Sequence, residues 1–403
     1  MNPSNISRGA AKMALLSLAI GSFGIGMTEF VAMGLLPDIA RDVMPAVWAS
    51  SQEDALGKAG WLISLYALGV VVGAPTIAGF AAKYPRHRVM VVLALALTVF
   101  NALTVVLPTF ELIGVSRFLA GLPHGAYFGL GALVAAEVMG PGNRAKGVAF
   151  ILTGLTLANV VGVPLGTFLG QQWGWRTAFL VVTLVFALAT VAIARFVPHQ
   201  AGSPGRTLRA ELGVFRVTQV WFALAIGAVG FGGFFAMYSY IAPVVTEVVG
   251  APTWVIPIVL VLIGLGMTVG NIVGGHLADI EIKRTLLFSL AAMAGVLVLL
   301  ALLSSSLVAV CILVFAVGFV SFVMSPAIQT RLMDVAGDYQ AIAAALNHSA
   351  LNVGNSLGAF LGGAVIAAGW GFAAPAWAGA VLAAGGLLIA VLAYAAEGRQ
   401  RAR

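Results

Sequence analysis

Charge is scarce in this chain. Only 9% of its 403 residues are Asp, Glu, Lys or Arg, against about 25% in soluble domains. Cysteine is scarcer still. Cys311 stands alone, which excludes a disulfide framework and a cysteine-based metal cluster. The short strings that carry enzyme chemistry are also missing. There is no His-Glu-x-x-His zinc site, no Gly-x-Ser-x-Gly elbow and no nucleotide-binding Walker loop. The chain is therefore not expected to be an enzyme, an ATP-driven pump is excluded, and no cofactor or metal is implied.

What the chain has in quantity is apolar side chain, 61% of the total. A soluble core cannot use that much, so the solvent must be largely lipid. The net charge of +7 raises nucleic acid as a partner. The basic residues are spread over short loops, however, which points to membrane topology instead. Arg8 and Lys12 precede an apolar run, as in a signal peptide. That run outlasts the usual ~7–15-residue core of a leader and contains Glu29, so it reads as a retained first helix.

A span needs about 20 apolar residues. Twelve stretches qualify, at roughly 13–37, 59–82, 88–108, 112–138, 146–170, 175–197, 216–246, 254–278, 285–304, 306–332, 340–367 and 373–395. Barrel strands would be half as long and would alternate in polarity, so the expected class is an all-α integral membrane protein. Alternate loops concentrate Lys and Arg: Arg8 and Lys12; Lys83, Arg86 and Arg88; Arg144 and Lys146; Arg195 to Arg216; Lys283 and Arg284; Arg331; Arg399 to Arg403. The opposite loops keep Arg41, Lys58 and Arg176. That asymmetry predicts both termini in the cytoplasm.

The halves repeat each other. The stretch from Gly79 aligns with that from Gly275, and ANVVGVPLG from Ala158 aligns with GNSLGAFLG from Gly354, both offset by 196. Gly24, Gly26 and Pro37 align with Gly230, Gly232 and Pro243, offset by 206. The expected domains are a six-helix bundle over 1–197, a linker over 198–214 and a second six-helix bundle over 215–403. Parallel halves of this kind place a substrate site near the bilayer midplane between them.

Glu29 lies inside the first apolar run, where an ionisable group costs several kcal/mol unless it faces a cavity or a partner. The plainer alternative is a carboxylate near the headgroups that caps the helix end. Arg117 in the fourth span lies at a similar depth, roughly 9 Å against roughly 12 Å for Glu29, and is the candidate partner. A carboxylate held between a cation and an apolar wall can exchange a proton as the cavity opens to either side. Arg117 could instead snorkel to the headgroups. His124, seven residues on, shares its face and is a candidate relay, or a satisfied structural histidine. Asn159 and Asn355 occupy equivalent repeat positions, facing a cavity or bonding across helices.

Two stretches carry a family resemblance. Gly275, Leu277, Ala278, Asp279, Lys283 and Arg284 resemble the loop signature of the major facilitator superfamily; Ile282 replaces its later Gly. The resemblance implies a charge network at the cytoplasmic helix ends that holds one conformation. In the first half Lys83 stands where the Asp would be and Arg86 where the Gly would be. Glu137 is then the candidate to take either cation. All these charges could also be plain loop anchors. Gly162-Val163-Pro164-Leu165-Gly166 is similar to the antiporter motif of the twelve-span drug:proton antiporter family. With Gly170 it offers a smooth face to a neighbouring helix, and Gly121, Gly125 and Gly129, or Gly266, Gly270 and Gly274, would do the same. Together with TEFVAMGLLPDIARD, the whole chain resembles arabinose-type sugar or drug efflux permeases. That resemblance implies the major facilitator fold, with two six-helix pseudo-repeats. It also adds Tyr66, Tyr127, Phe234 and Tyr238 as cavity-side candidates.

The expected function is proton-coupled export of small, mostly neutral solutes. Import or facilitated transport of a sugar or nucleoside is the alternative. The expected partners are the solute, protons and the bilayer, with the chain acting as a monomer and binding no nucleic acid.

Overall fold

The computed structural model describes residues 8–81, 84–140, 144–200, 212–337 and 340–401. Lys83 and residues 201–211 of the expected linker lie outside them. Within the described residues the regular structure is helical throughout. Eleven helices are long and apolar enough to cross a membrane. One of them, Val255–Leu302, runs for 48 residues and bends at Glu281, where the backbone is extended (φ −156°, ψ 100°). At about 1.5 Å per residue it is more than twice as long as the ~30 Å bilayer core is thick. It therefore makes two crossings, and the described residues make the twelve that the sequence predicts. The break falls in the polar run Asp279 to Arg284, which cannot stay in lipid.

The first six spans are Arg8–Gly34, Gln52–Ala81, Arg86–Val106, Phe110–Met139, a composite over 144–173, and Trp175–Phe196. The second six are Thr218–Tyr238, the two arms of Val255–Leu302, Leu307–Ala336, Gln340–Val365 with its extension to Trp370, and Ala374–Arg401. An even number of crossings puts both ends of the described chain on one face, the terminal face. The opposite one is the far face.

The first span stops earlier than expected. It ends at Gly34, and Leu35 (φ −111°, ψ 12°) turns the chain into a short helix, Leu36–Val43. Pro37 explains the break, since it lacks an N–H and restricts the residue before it. The seventh span breaks in the same way: Tyr240 (φ −121°, ψ 20°) precedes Ile241–Pro243. The repeat seen in the sequence thus extends to the backbone.

Glycine faces set the packing. A methyl group built on Gly162 would meet Phe23 at 2.7 Å, one on Gly166 would meet Val31 at 3.0 Å, and one on Gly170 would meet Leu35 at 2.5 Å. The antiporter-like string therefore lies against the first span, the one that carries Glu29. Pro164 sits just past a π-helical turn, Ala158–Gly162, in which the Val163 N–H reaches back to the Ala158 carbonyl. The wider turn accommodates a residue whose ring would clash with the carbonyl four back. The repeat-equivalent position is Phe360, and there the helix runs on without such a turn. Gly266, Gly270 and Gly274 back onto the main chain of the tenth span, and Gly121 and Gly125 onto the second. Gly129 departs from the expectation: it has open space around it.

The two halves meet along one seam. Trp61 and Phe360 pack edge to face with centroids 5.4 Å apart, and the Ser64 hydroxyl donates to the Ser356 carbonyl at 3.1 Å. Gln171 Nε2 donates to the Thr253 carbonyl at 3.1 Å. Phe30 stacks on Tyr238 at 5.4 Å. Among the described residues, the hydrogen bonds and ring contacts that join the halves lie from the middle of the bundle to the far face. The one exception is the Phe128–His348 stack on the terminal side.

Candidate proton and substrate site

Helix geometry aims Glu29. Met27 and Val31 touch the glycine face of the fifth span. Glu29 lies two residues from each, about 200° round the helix, so it points away from the fifth span. It looks across the seam instead. Its residue is 7% exposed, and its Oε1 accepts a 3.0 Å hydrogen bond from Asn355 Nδ2 in the eleventh span. One bond therefore joins a carboxylate of the first half to an amide of the second. The helix-capping alternative does not describe this position.

Arg117 does not take Glu29 directly, in contrast to the expected pair. No ion pair within 4 Å joins them. The guanidinium instead clasps the preceding residue. Nη1 donates to Thr28 Oγ1 at 2.9 Å and Nη2 to the Thr28 carbonyl at 2.7 Å. The Thr28 hydroxyl in turn donates to Asn101 Oδ1 in the third span at 2.6 Å. The ring of Tyr66 lies 4.3 Å from the guanidinium carbon, and that of Phe179 lies 5.2 Å away. The group is buried, not snorkelling. Hydrogen bonds and two aromatic faces replace the water it has lost. Thr28 and Asn101 were invisible in the sequence as members of this site.

His124 does not reach Glu29. Its Nδ1 lies 3.0 Å from the Tyr66 hydroxyl, so Tyr66 stands between it and Arg117. Phe128 then packs edge-on to His124 and lies parallel to His348, with centroids 5.4 Å and planes 2° apart. Of the other candidates, Tyr127 donates to the Leu18 carbonyl at 3.0 Å and acts as packing against the first span. Phe234 belongs to a buried aromatic group with Phe231, Phe235 and Phe322. Tyr238 stacks on Phe30 in the seam. Asn159 lies beside Gly264 of the eighth span, also in the seam.

The charges at the terminal face divide unevenly. Arg86 and Glu137 meet at 2.8 Å, while Lys83 lies outside the described residues. In the second half Arg284 pairs with Glu281 at 3.1 Å, and Lys283 lies over the Tyr394 ring at 5.4 Å. Asp279 joins no ion pair with a described residue, so the expected Asp-centred network is not formed among the described residues. The bend at Glu281 brings that carboxylate to Arg284 instead. Arg331, read only as a loop cation, makes the stronger contact: Glu397 at 2.7 Å and Gln219 at 3.2 Å, with Tyr394 beneath it. At the far face Asp42 accepts from Trp175 Nε1 at 2.9 Å and from Arg176. The Trp175 hydrogen bond first, and then Arg176, hold the Asp42 carboxyl below its ordinary range. Arg41, Lys58 and Arg176 were the few cations on that side, and Arg176 ties the short helix Leu36–Val43 after the first span to the sixth span.

Twelve crossings, a seam between two halves and polar groups buried at its middle define a membrane transport protein. A family model, the Major Facilitator Superfamily, matches residues 18–350 and 256–403. The chain is 38% identical to the inner membrane transport protein YdhP of Escherichia coli over 375 residues, covering 93% of this chain and 94% of that one. It is 33% identical to the putative transporter AraJ of the same organism over 368 residues, 89% of each chain. It is 31% identical to a chloramphenicol resistance protein of Streptomyces lividans over 387 residues, 94% of this chain and 95% of that one. The crystal structure of the human organic anion transporter MFSD10 shares the fold, with a TM-score of 0.67 at 15% identity, covering 94% of this chain and 99% of that one. The chain belongs to the major facilitator superfamily.

Proposed function

We propose that the protein exports small neutral solutes in exchange for protons, with both termini in the cytoplasm. The observation that carries the reading is the buried Glu29 carboxylate, bonded across the seam to Asn355. A charge in apolar surroundings is costly, and taking up a proton removes it. A proton on Glu29 changes what Asn355 Nδ2 can donate to, so proton state and the fit between halves are linked. Arg117, Tyr66 and His124 extend the polar path toward the terminal face, and Arg117 fixes the first span through Thr28. Asn159, Asn355 and the aromatics Tyr66, Phe234 and Tyr238 line or support the solute site. The bundles over 1–197 and 215–403, joined by 198–214, rock about that site. Arg86–Glu137 and the Lys283, Arg284 and Asp279 region bias which side is open, and the Gly162, Pro164 and Gly166 face lets the first span move against the fifth. Kinship with a chloramphenicol resistance protein favours export and a neutral drug-like or sugar-like solute.

The test is flux in inverted membrane vesicles with an imposed pH gradient. Glu29→Gln keeps shape and hydrogen bonding but cannot exchange a proton. It should abolish gradient-driven accumulation while leaving inserted protein and downhill exchange. Uphill transport by the mutant at the wild-type rate would refute proton coupling at Glu29. Accumulation only under the reversed gradient would make the protein an importer.

A further inference from the structure

The eleventh span carries His348, Asn352 and Asn355 at i, i+4 and i+7, a single helical face. Two contacts fix where that face looks. His348 stacks on Phe128, and Asn355 bonds Glu29, both in the first half. Asn352 lies between them on the same face, so it too looks across the seam. Its Nδ2 donates to the His348 carbonyl at 3.0 Å. A carbonyl can only accept, so the other end of that amide is its oxygen. The same logic holds for Asn355 against the Glu29 carboxylate and for Asn159, whose Nδ2 donates to the Leu155 carbonyl at 3.0 Å. The three Oδ1 atoms are buried and have no hydrogen-bond partner among the described residues. Their residues are 2%, 5% and 0% exposed for Asn159, Asn352 and Asn355 respectively.

The repeat sets Asn159 apart from Asn355 only at the nitrogen. Asn355 Nδ2 donates to Glu29, but the counterpart of Glu29 at the 206-residue offset is Phe235, so Asn159 Nδ2 donates to the Leu155 carbonyl instead, and in both residues Oδ1 is left without a donor among the described residues. Buried acceptors are normally satisfied, and three on one seam call for donors from outside the chain. The formal charges nearby are one of each sign: the Glu29 carboxylate, bonded to the neutral Asn355 amide, and the Arg117 guanidinium, bonded to Thr28 and closed between Tyr66 and Phe179. They sum to zero, so this part of the seam offers a charged solute no net countercharge.

We propose that the transported solute is neutral and presents at least three hydrogen-bond donors, hydroxyl or amide N–H, to the carbonyl oxygens of Asn159, Asn352 and Asn355. This rests on the reading of the seam as the transport path. It excludes permanent cations without donors and solutes that only accept.

Equilibrium binding to the purified full chain at fixed pH tests the proposal without any gradient. Two matched pairs are compared: chloramphenicol, with two hydroxyls and an amide N–H, against its analogue with both hydroxyls replaced by hydrogen; and a pentose against its fully O-methylated form. Tetraphenylphosphonium is the cationic control. A donor-bearing member should bind more tightly by about tenfold per donor that its partner lacks. Asn352→Leu should cut that discrimination about tenfold, and Asn159→Leu, on a different span, should do the same if the first variant fails to fold. Equal binding within each pair, tightest binding of the cation, or no binding of any of the four neutral compounds would overturn the proposal. So would discrimination that survives both variants, because the amides would then be hydrated structural groups only. None of these results touches gradient-driven flux, so the failure of this inference and the failure of proton coupling at Glu29 are told apart.

Discussion

Thr28 is the pivot of the buried polar site. Its hydroxyl accepts from Arg117 and donates to Asn101, so one oxygen ties the first, third and fourth spans. Thr28→Val keeps the shape and removes both bonds. Asn101 Oδ1 and one arm of a buried guanidinium then lose their partner, and leaving such groups unsatisfied costs about 1–3 kcal/mol each. The purified variant should melt several degrees lower in detergent, and its flux should fall further than its protein level. A melting point equal to wild type would show that Thr28 is not a fastener. Thr28→Ser, which keeps the hydroxyl, should restore most of the loss. Glu29 and Arg117 were legible because a charge in an apolar run demands a reason. Thr28 and Asn101 were not, because hydroxyls and amides in spans usually bond their own helix. Which of them cross depends on helix adjacency that no single segment reveals. The same limit produced the direct Glu29–Arg117 pair: depth along a helix can be counted, whereas the direction of a side chain round it needs the neighbours.

The spans themselves were readable almost to their ends, since about 20 apolar residues have one use in a membrane. What the hydropathy could not show was the breaks after Gly34 and Tyr238, because the residues beyond them stay apolar. Glycine stripes were readable as smooth faces but not as occupied ones. Gly270 abuts the Phe319 carbonyl of the tenth span, whereas Gly129 has nothing near it. A backbone neighbour cannot swing aside as a side-chain tip can. Gly270→Ala must therefore push two spans apart, and its yield of folded protein should fall steeply. Gly129→Ala should be neutral or stabilising by up to about 1 kcal/mol, since Ala is the better helix former. Gly166→Ala should fall between the two, because it meets the side chains of Val31 and Met27. Measuring melting temperature and yield for the three together checks the order. A tolerated Gly270→Ala would mean that the eighth and tenth spans are not in main-chain contact.

At the scale of the molecule the far face is sealed by the second span against the seventh and eleventh. Gly57 approaches Gly363 so closely that an added methyl group would lie 2.9 Å from its carbonyl. The Tyr240 hydroxyl donates to the Ala359 carbonyl at 2.7 Å and fills the space beside Gly60. A methyl group on Gly60 would overlap that hydroxyl. Gly60→Ala should therefore act as a wedge. It penalises the state with the far face closed and leaves the opposite state untouched, so the population moves toward far-face opening. A ligand or substitution shifts a two-state equilibrium only by its differential effect on the two states, and about 1.4 kcal/mol gives a tenfold change. The readout is maleimide reactivity of a cysteine at Ser64, in a Cys311→Ser background, where Ser64 is buried in the seam. Reactivity from the far face should rise about tenfold in Gly60→Ala for that shift. Tyr240→Phe removes the hydroxyl that the wedge strikes. Adding Gly60→Ala to Tyr240→Phe should then raise reactivity much less than it does in the wild-type background. If the two changes simply add, the wedge does not act through Tyr240. If Gly60→Ala alone leaves reactivity unchanged, the contact between the second and eleventh spans is not what closes the far face, and the seal must lie where Gln171 meets Thr253.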